Sequence, residues 1–170
     1  MAKKDTQAQA AKANGSVKKL RKIMRDIRIA MLTTVARDGR LNSRPMMTSD
    51  VEFDGNLWFI ASTTSALAQE ITGNPNVNVI YASPEDDRYI SASGTASFMH
   101  DQAKLKELWS GKHKAWLPEG KKDPHLALLR VDVQHAECWD DSAESVQFVR
   151  PEAQPTMAGA EDGTGAGAQG

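Results

Sequence analysis

The chain has 170 residues, 40% of them hydrophobic and 25% charged, with a formal net charge of −1; these are the proportions of a single globular domain with a real core. A net charge so close to zero gives no overall pull toward nucleic acid or an anionic membrane, and no apolar run approaches the roughly 20 residues that span a bilayer. The lone cysteine, Cys138, excludes an internal disulfide and a cysteine-based metal site.

In chain order, the start Met1-Ala2-Lys3-Lys4-Asp5 has no hydrophobic region behind it, so no secretory signal is read and a cytoplasmic location is the default expectation. Residues 1–15 lack any aromatic residue and are expected to be a disordered basic tail. Nine Lys or Arg lie between Lys3 and Arg28, against Asp5 and Asp26. They read as a solvated tail and outer helix face, with weak anion binding as the alternative. Ser16 is a good N-cap for a first helix carrying Leu20, Ile23, Met24 and Ile27 at helical spacing.

Ile29 to Ala36 is rich in β-formers, and Asp38-Gly39 turns it back into a strand from Leu41 to Ser49. A second turn at Asp54-Gly55 precedes a strand from Leu57 to Ser62, so these three strands are expected to form an antiparallel meander. Thr64 or Ser65 can cap a helix running through Ile71, which Gly73-Asn74-Pro75 stops. Val77 to Ala82 and Arg88 to Met99 are strands, the second interrupted at Gly94, where a bulge, a bend or a close backbone approach is expected. Asp101 caps a helix with Leu105, Leu108 and Trp109. Leu126 to Val133 and His135 to Trp139 read as two strands, with a short last one at Val146 to Val149. Residues 151–170 hold five Gly and two Pro and read as a flexible tail. One unit over 16–150 remains. The fold expected is mainly β (α+β): antiparallel strands in meander or Greek-key order forming a split barrel, with a few short helices. No Gly-x-Gly-x-x-Gly follows the first strand, which argues against a Rossmann dinucleotide site.

Two segments carry the candidate chemistry. Arg44 stands alone in the uncharged run Leu41 to Ser49, and a charge on a strand that faces a core needs a partner. A phosphate would serve, and so would a carboxylate from elsewhere in the fold. Pro45 cannot donate to a sheet ladder, so it implies an edge, a bulge or a side turned toward a ligand. Met46 and Met47 read as core, or as a thioether against a planar ring. The run Ser62, Thr63, Thr64, Ser65 serves either as helix capping or as a phosphate cradle at a helix N-terminus. No Lys or Arg occurs between Ala61 and Arg88. His100, His113, His125 and His135 show no metal-ligand spacing, so no metal site is expected. Glu137, Asp140 and Asp141 would raise the Cys138 thiol pKa, so that group is expected to be structural and half-buried.

The segments Ala30-Met31-Leu32-Thr33-Thr34-Val35, Ser43-Arg44-Pro45-Met46, Leu57-Trp58-Phe59-Ile60-Ala61-Ser62 and Ser91-Ala92-Ser93-Gly94-Thr95-Ala96 carry a family resemblance. So does the C-terminal block through Glu137-Cys138-Trp139-Asp140. Together they resemble the FMN-binding split-barrel superfamily, the fold of pyridoxamine 5′-phosphate oxidase, in its bacterial general stress protein 26 branch. The resemblance covers about residues 20–141. It implies a homodimer with FMN, or FAD, at the subunit interface. Arg44 would meet the flavin phosphate or ribityl chain, and Pro45 and Met46 would lie along the ring. Ile60, Ala61 and Ser62 would lie beneath the cofactor, Ser65 at its phosphate, and Trp139 near the flavin of the other subunit. Relatives often carry an Arg-Lys or x-Lys pair after the phosphate-binding serine; here Ala66 and Leu67 stand there, so the phosphate would be held loosely. The basic residues that receive a pyridoxal-type substrate have no clear match, so pyridoxamine phosphate oxidation is not supported.

Three functions are compatible with these residues. One is a flavin-binding stress-response protein acting as a flavin-dependent oxidoreductase. The second is a non-catalytic flavin-binding or storage module. The third is a cofactor-free dimeric scaffold whose basic arm meets a partner. No side chain demands a role as acid or base.

Overall fold

The computed structural model describes residues 14–49, 52–141 and 146–150. The tail expected at 151–170, and the one at 1–15 except for its last two residues, lie outside that range. Helix α1 is described over residues 14–24, and it includes Asn14 and Gly15. Ser16 therefore sits inside the helix and not at its cap. Its hydroxyl instead donates to the Gln147 carbonyl, 3.0 Å away. Leu20, Ile23 and Met24, with Ile27 just beyond, put their apolar stripe into the main core.

Seven strands form one sheet: β1 (Ile29–Val35), β2 (Leu41–Met47), β3 (Asn56–Ser62), β4 (Asn76–Ser83), β5 (Arg88–Met99), β6 (Leu126–Trp139) and β7 (Val146–Val149). The order is β2-β1-β4-β5-β6-β3, every pair antiparallel, and β7 pairs with the far half of β6. β1–β2 is the hairpin expected from Asp38-Gly39. The meander expected of the first three strands stops there: β3 does not pair with β2 but crosses to the opposite side to join β6, a Greek-key step, and the sheet curls into a half-barrel. β2 and β3 end up as its two margins, and the Ser49 hydroxyl spans between them to the Trp58 carbonyl at 3.1 Å. Helices α2 (Ala66–Gly73) and α3 (Gln102–Leu108) follow β3 and β5. Asp101 caps α3 through the Lys104 N–H, as its position implies.

Leu126 to Trp139 is one continuous strand, not two. Against β5 the register passes from Gly94↔Val133 to Ser93↔His135, so Gln134 is an extra residue on β6 and a bulge absorbs the break. The glycine allows the close approach: a Cβ on Gly94 would lie 2.0 Å from the Asp132 carbonyl oxygen.

The start of β6, from Leu126 to Leu129, is apolar at every position because both of its faces are covered. Leu129 and Val131 join Phe59, Ile90 and Leu32 in the main core, under α1 and α2. Leu126 and Leu128 face the other way and form a second core with Ile60, Leu105 and Leu108 beneath α3. Phe59, 1% exposed, contributes roughly 2–3 kcal/mol by burial alone. Arg150 closes the C-terminal side. Its guanidinium donates to the Val133 and Gly55 carbonyls and pairs with Asp132.

Cys138 is 1% exposed, fully buried where half burial was expected. Burial first, then the charge of Asp140, pushes its thiol pKa up. Among the described residues no group of His, Cys, Asp and Glu could hold a metal ion, and no helix is long and apolar enough to cross a membrane.

Candidate functional site

Arg44 is placed by the alternation of β2. The register sets it opposite Leu32, with Asn42 and Met46 on the same face, and that face is the inner one. An arginine turned inward must find an anion or draw in water. It finds Glu70, on the face of α2 that packs over the β1–β2 hairpin. Arg44 Nη1 donates to Glu70 Oε2 at 2.7 Å and Nη2 to Oε1 at 3.0 Å, a bidentate fork. Two further donors complete the carboxylate. The Thr34 hydroxyl meets Oε2, and Asn42 Nδ2 meets Oε1 at 2.7 Å. Thr34 is wholly buried and also accepts from Arg44 Nη1 at 2.9 Å.

The Glu70 carboxylate thus receives four hydrogen bonds, two on each oxygen. Those from Arg44 first, then Thr34 and Asn42, bring its pKa from 4.5 down to about 2. It is ionised at any pH where the protein would work. The pair is therefore net neutral, and the carboxylate has no lone pair left to act as a base.

The hydroxyl run is equally committed. Ser65 is the N-cap of α2: its Oγ accepts from the Ala68 N–H at 3.3 Å and donates to the Ser62 carbonyl at 2.7 Å. Ser62 and Thr64 share a hydrogen bond of 3.0 Å, and Thr63 donates to the His125 carbonyl at 3.1 Å. Leu67 is buried against the main core, whereas Ala66 is exposed on the first turn.

The remaining candidates divide by face. Pro45 is exposed on the outer side of the edge strand β2, opposite Met31. Met46 turns inward and belongs to the main core, as does Ala61, and Ile60 fills the second core under α3. For these three, a ligand would meet backbone and not side chain. Arg44, Pro45 and Met46 thus lie together on β2, which meets the middle of α2 through Glu70, and Ser62, Ser65 and Leu67 lie together where β3 ends and α2 begins. Trp139 belongs to neither group. It is 48% exposed, on the outer face of β6 opposite Tyr89. It lies at the end of β6 beyond Leu126–Asp132, the stretch that pairs with β3, and Arg44 faces the inner side.

Glu70, Thr34 and Asn42 are the residues that reading the sequence did not single out. The signal was present as the open alternative for Arg44, a carboxylate from elsewhere. Nothing local says that Glu70, 26 positions away, is that carboxylate.

Beside this cluster an open groove of about 900 Å³ runs between the hairpin turn and α2, lined by Arg37, Ala66, Gln69 and Glu70 among others. That is ligand-sized. A second cavity, lined by Arg21, Ser49 and Trp58 at the β2–β3 seam, holds only about 40 Å³, room for a water or two. As a donor set for a flavin, the region suits the flat ring and the polyol chain better than the phosphate. An edge strand with Pro45 offers a surface without a sheet partner. The cation and hydroxyls expected at the phosphate are engaged with protein groups.

The family model described as pyridoxamine 5′-phosphate oxidase like matches residues 15–161. Among curated proteins, the chain is similar to Protein bli-3 of Neurospora crassa, 26% identical over 122 residues. That match covers 66% of this chain and 58% of the other, so the chain spans less than two thirds of that relative's length. Among solved structures it is similar to general stress protein 26 from Bacillus anthracis, with TM-score 0.67 and 26% identity over 78% of this chain and 98% of that one. It is also similar to the general stress FMN/FAD binding protein from Xanthomonas citri, with TM-score 0.63 and 31% identity over 77% and 92%.

Proposed function

This chain belongs to the pyridoxamine 5′-phosphate oxidase-like family, and from that premise we propose that it is a flavin-binding general stress protein, working as a homodimer with FMN or FAD at the subunit interface. The observation that carries the reading is the margin of β2. Pro45 leaves this edge strand outside the sheet ladder on its free side, Arg44 lies on it, and α2 is tied to it through Glu70. Similarity to a general stress FMN/FAD binding protein supports flavin as the ligand.

The position of Trp139 supports the second copy. Its ring is half exposed on the outer face, at the far end of β6 beyond the residues that pair with β3, whereas Arg44 faces inward. In a dimer that ring would come from the other subunit. The outer face supplies material for such an interface: Ile29, Met31 and Leu41 are 39%, 38% and 70% exposed beside Pro45.

Of the enzymatic and non-enzymatic versions, the site chemistry favours binding. The carboxylate at the centre is saturated with donors and held ionised, so the protein's own groups bind and orient while the flavin, when present, carries the electron chemistry. An oxidoreductase role would rest on the cofactor alone. The visible spectrum of the purified protein, followed by titration with FMN and its fluorescence, tests the reading. Flavin bands or quenching are expected; colourless protein that leaves FMN fluorescence unchanged would sink it. Bleaching of the bound flavin by NADH or NADPH then separates enzyme from binder.

A further inference from the structure

We infer that Glu70 makes this site indifferent to the flavin's phosphate, so that the ligand class is the ribityl-flavin unit, with riboflavin accepted as well as FMN. The inference rests on the flavin reading above and concerns which part of the ligand the chain recognises.

A phosphate dianion is selected by groups that are cationic and free to donate. Arg44 is cationic, but Glu70 holds it in a bidentate fork at 2.7 and 3.0 Å, and the pair presents no net charge. Three of the five guanidinium N–H donors are used, two on Glu70 and one on Thr34. The two that remain suit an uncharged oxygen, such as a ribityl hydroxyl or a ring carbonyl. A dianion would have to compete with a carboxylate already in place, and its own charge would meet that of Glu70.

The other phosphate-binding devices are also engaged or missing. The Ser65 hydroxyl both caps α2 and donates to Ser62, and its neighbours Ser62, Thr63 and Thr64 are bonded internally. Ala66 and Leu67 occupy the positions where the resemblance places basic residues, and Leu67 is buried. Arg37 is the one cationic side chain among the described residues that line the adjoining groove. It stands on the exposed hairpin turn, where solvent and salt screen it.

Equilibrium titrations of the full chain with riboflavin and with FMN, read by flavin fluorescence at fixed salt, test this directly. The two dissociation constants are expected to agree within about threefold, a gap too small for a charge-assisted contact to phosphate. FMN binding more than about tenfold tighter than riboflavin would overturn the inference while leaving the flavin reading intact. Binding of neither would overturn both.

Two variants assign the effect. Glu70→Gln removes the competing charge and is expected to tighten FMN about tenfold relative to riboflavin; an unchanged ratio in a variant with native circular dichroism would remove Glu70 from the explanation. Ala66→Arg adds an exposed cation at the start of α2 without touching the core, and is expected to raise the same ratio even if the Gln variant fails to fold. Arg37→Ala should leave the ratio where it is; a fall toward riboflavin would mean that Arg37 reads the phosphate and would overturn the inference.

Discussion

Arg44 and Glu70 face each other across the seam between β2 and α2, both nitrogens of the guanidinium fork on both oxygens of the carboxylate. The side chains are 29% and 13% exposed, so the pair is largely removed from water but not sealed. Two consequences differ in kind. The pair ties the middle of α2 to the edge of the sheet, and it decides what charge the site shows a ligand.

Breaking the pair from one side is therefore expected to cost more than removing it whole. Arg44→Met leaves a carboxylate with two of its four donors gone, and Glu70→Leu leaves an inward arginine with only Thr34. Each is expected to lose about 1–2 kcal/mol, below the usual range for charged hydrogen bonds because solvent still reaches Arg44. The double variant is expected to lose clearly less than the sum. Urea unfolding of the four proteins measures the cycle; strict additivity would show that the two residues do not act as a pair.

The same carboxylate gives the fold an acid-sensitive element. With its pKa lowered from 4.5 to about 2, Glu70 takes up a proton more readily in the unfolded chain than in the folded one. Its stabilisation is fully present above pH 4.5 and is lost as pH falls toward 2. The stability difference between wild type and Glu70→Gln should accordingly shrink through that window. Urea midpoints at several pH values read it, and a difference constant down to pH 2 would contradict the assigned pairing.

Local signals in this chain were legible and long-range ones were not. Asp38-Gly39 announced the β1–β2 hairpin, Thr64-Ser65 announced the cap of α2, and Gly94 announced a close backbone approach to β5, because each acts within a few residues of itself. The partner of Arg44 is chosen by where α2 lands on the hairpin, which no window of sequence contains. The continuity of β6 escaped for a related reason: Gln134 is read as a break only until its neighbour β5 is known to accept a bulge there. Ser16 looked like a cap by type, yet residues before it are helical and its hydroxyl serves Gln147 instead. For the candidate site, what was legible was that an inward Arg44 needs an anionic partner and that Ser65 stands at the start of a helix. Which of their polar groups are already spent was not.

Gly94 is expected to be the least tolerant glycine in the sheet. A methyl group there would sit 2.0 Å from the Asp132 carbonyl oxygen and 2.8 Å from its carbon, both backbone atoms that cannot rotate away. Gly94→Ala must push β5 and β6 apart beside the bulge, at the expense of the longest ladder in the sheet. A loss of about 3 kcal/mol or more is expected, in the range of overpacked cores. Thermal unfolding checks it; a variant as stable as wild type would mean that the two strands are farther apart than described.

The outer face sets the last expectation. Along the register, Met31 has Pro45 on one side and Ile80 on the other, Leu41 lies opposite Val35, and Tyr89 opposite Trp139. Met31, Leu41, Tyr89 and Trp139 are all more than a third exposed in the single chain. If a second copy covers this face, light scattering should give a mass twice 18.5 kDa, and the contact should bury roughly 800 Å² on each partner to persist on dilution. Met31→Lys paired with Leu41→Lys would then put two charges into a dry interface with no partner, and is expected to yield a folded monomer. Both positions lie on the opposite side of the sheet from Arg44 and Glu70, so that ion pair should survive in the monomer. Any flavin bound should nevertheless weaken, because Trp139 of a second chain would no longer reach it. A wild-type chain that stays monomeric while binding flavin would remove the second copy from the site and leave Trp139 without a role there.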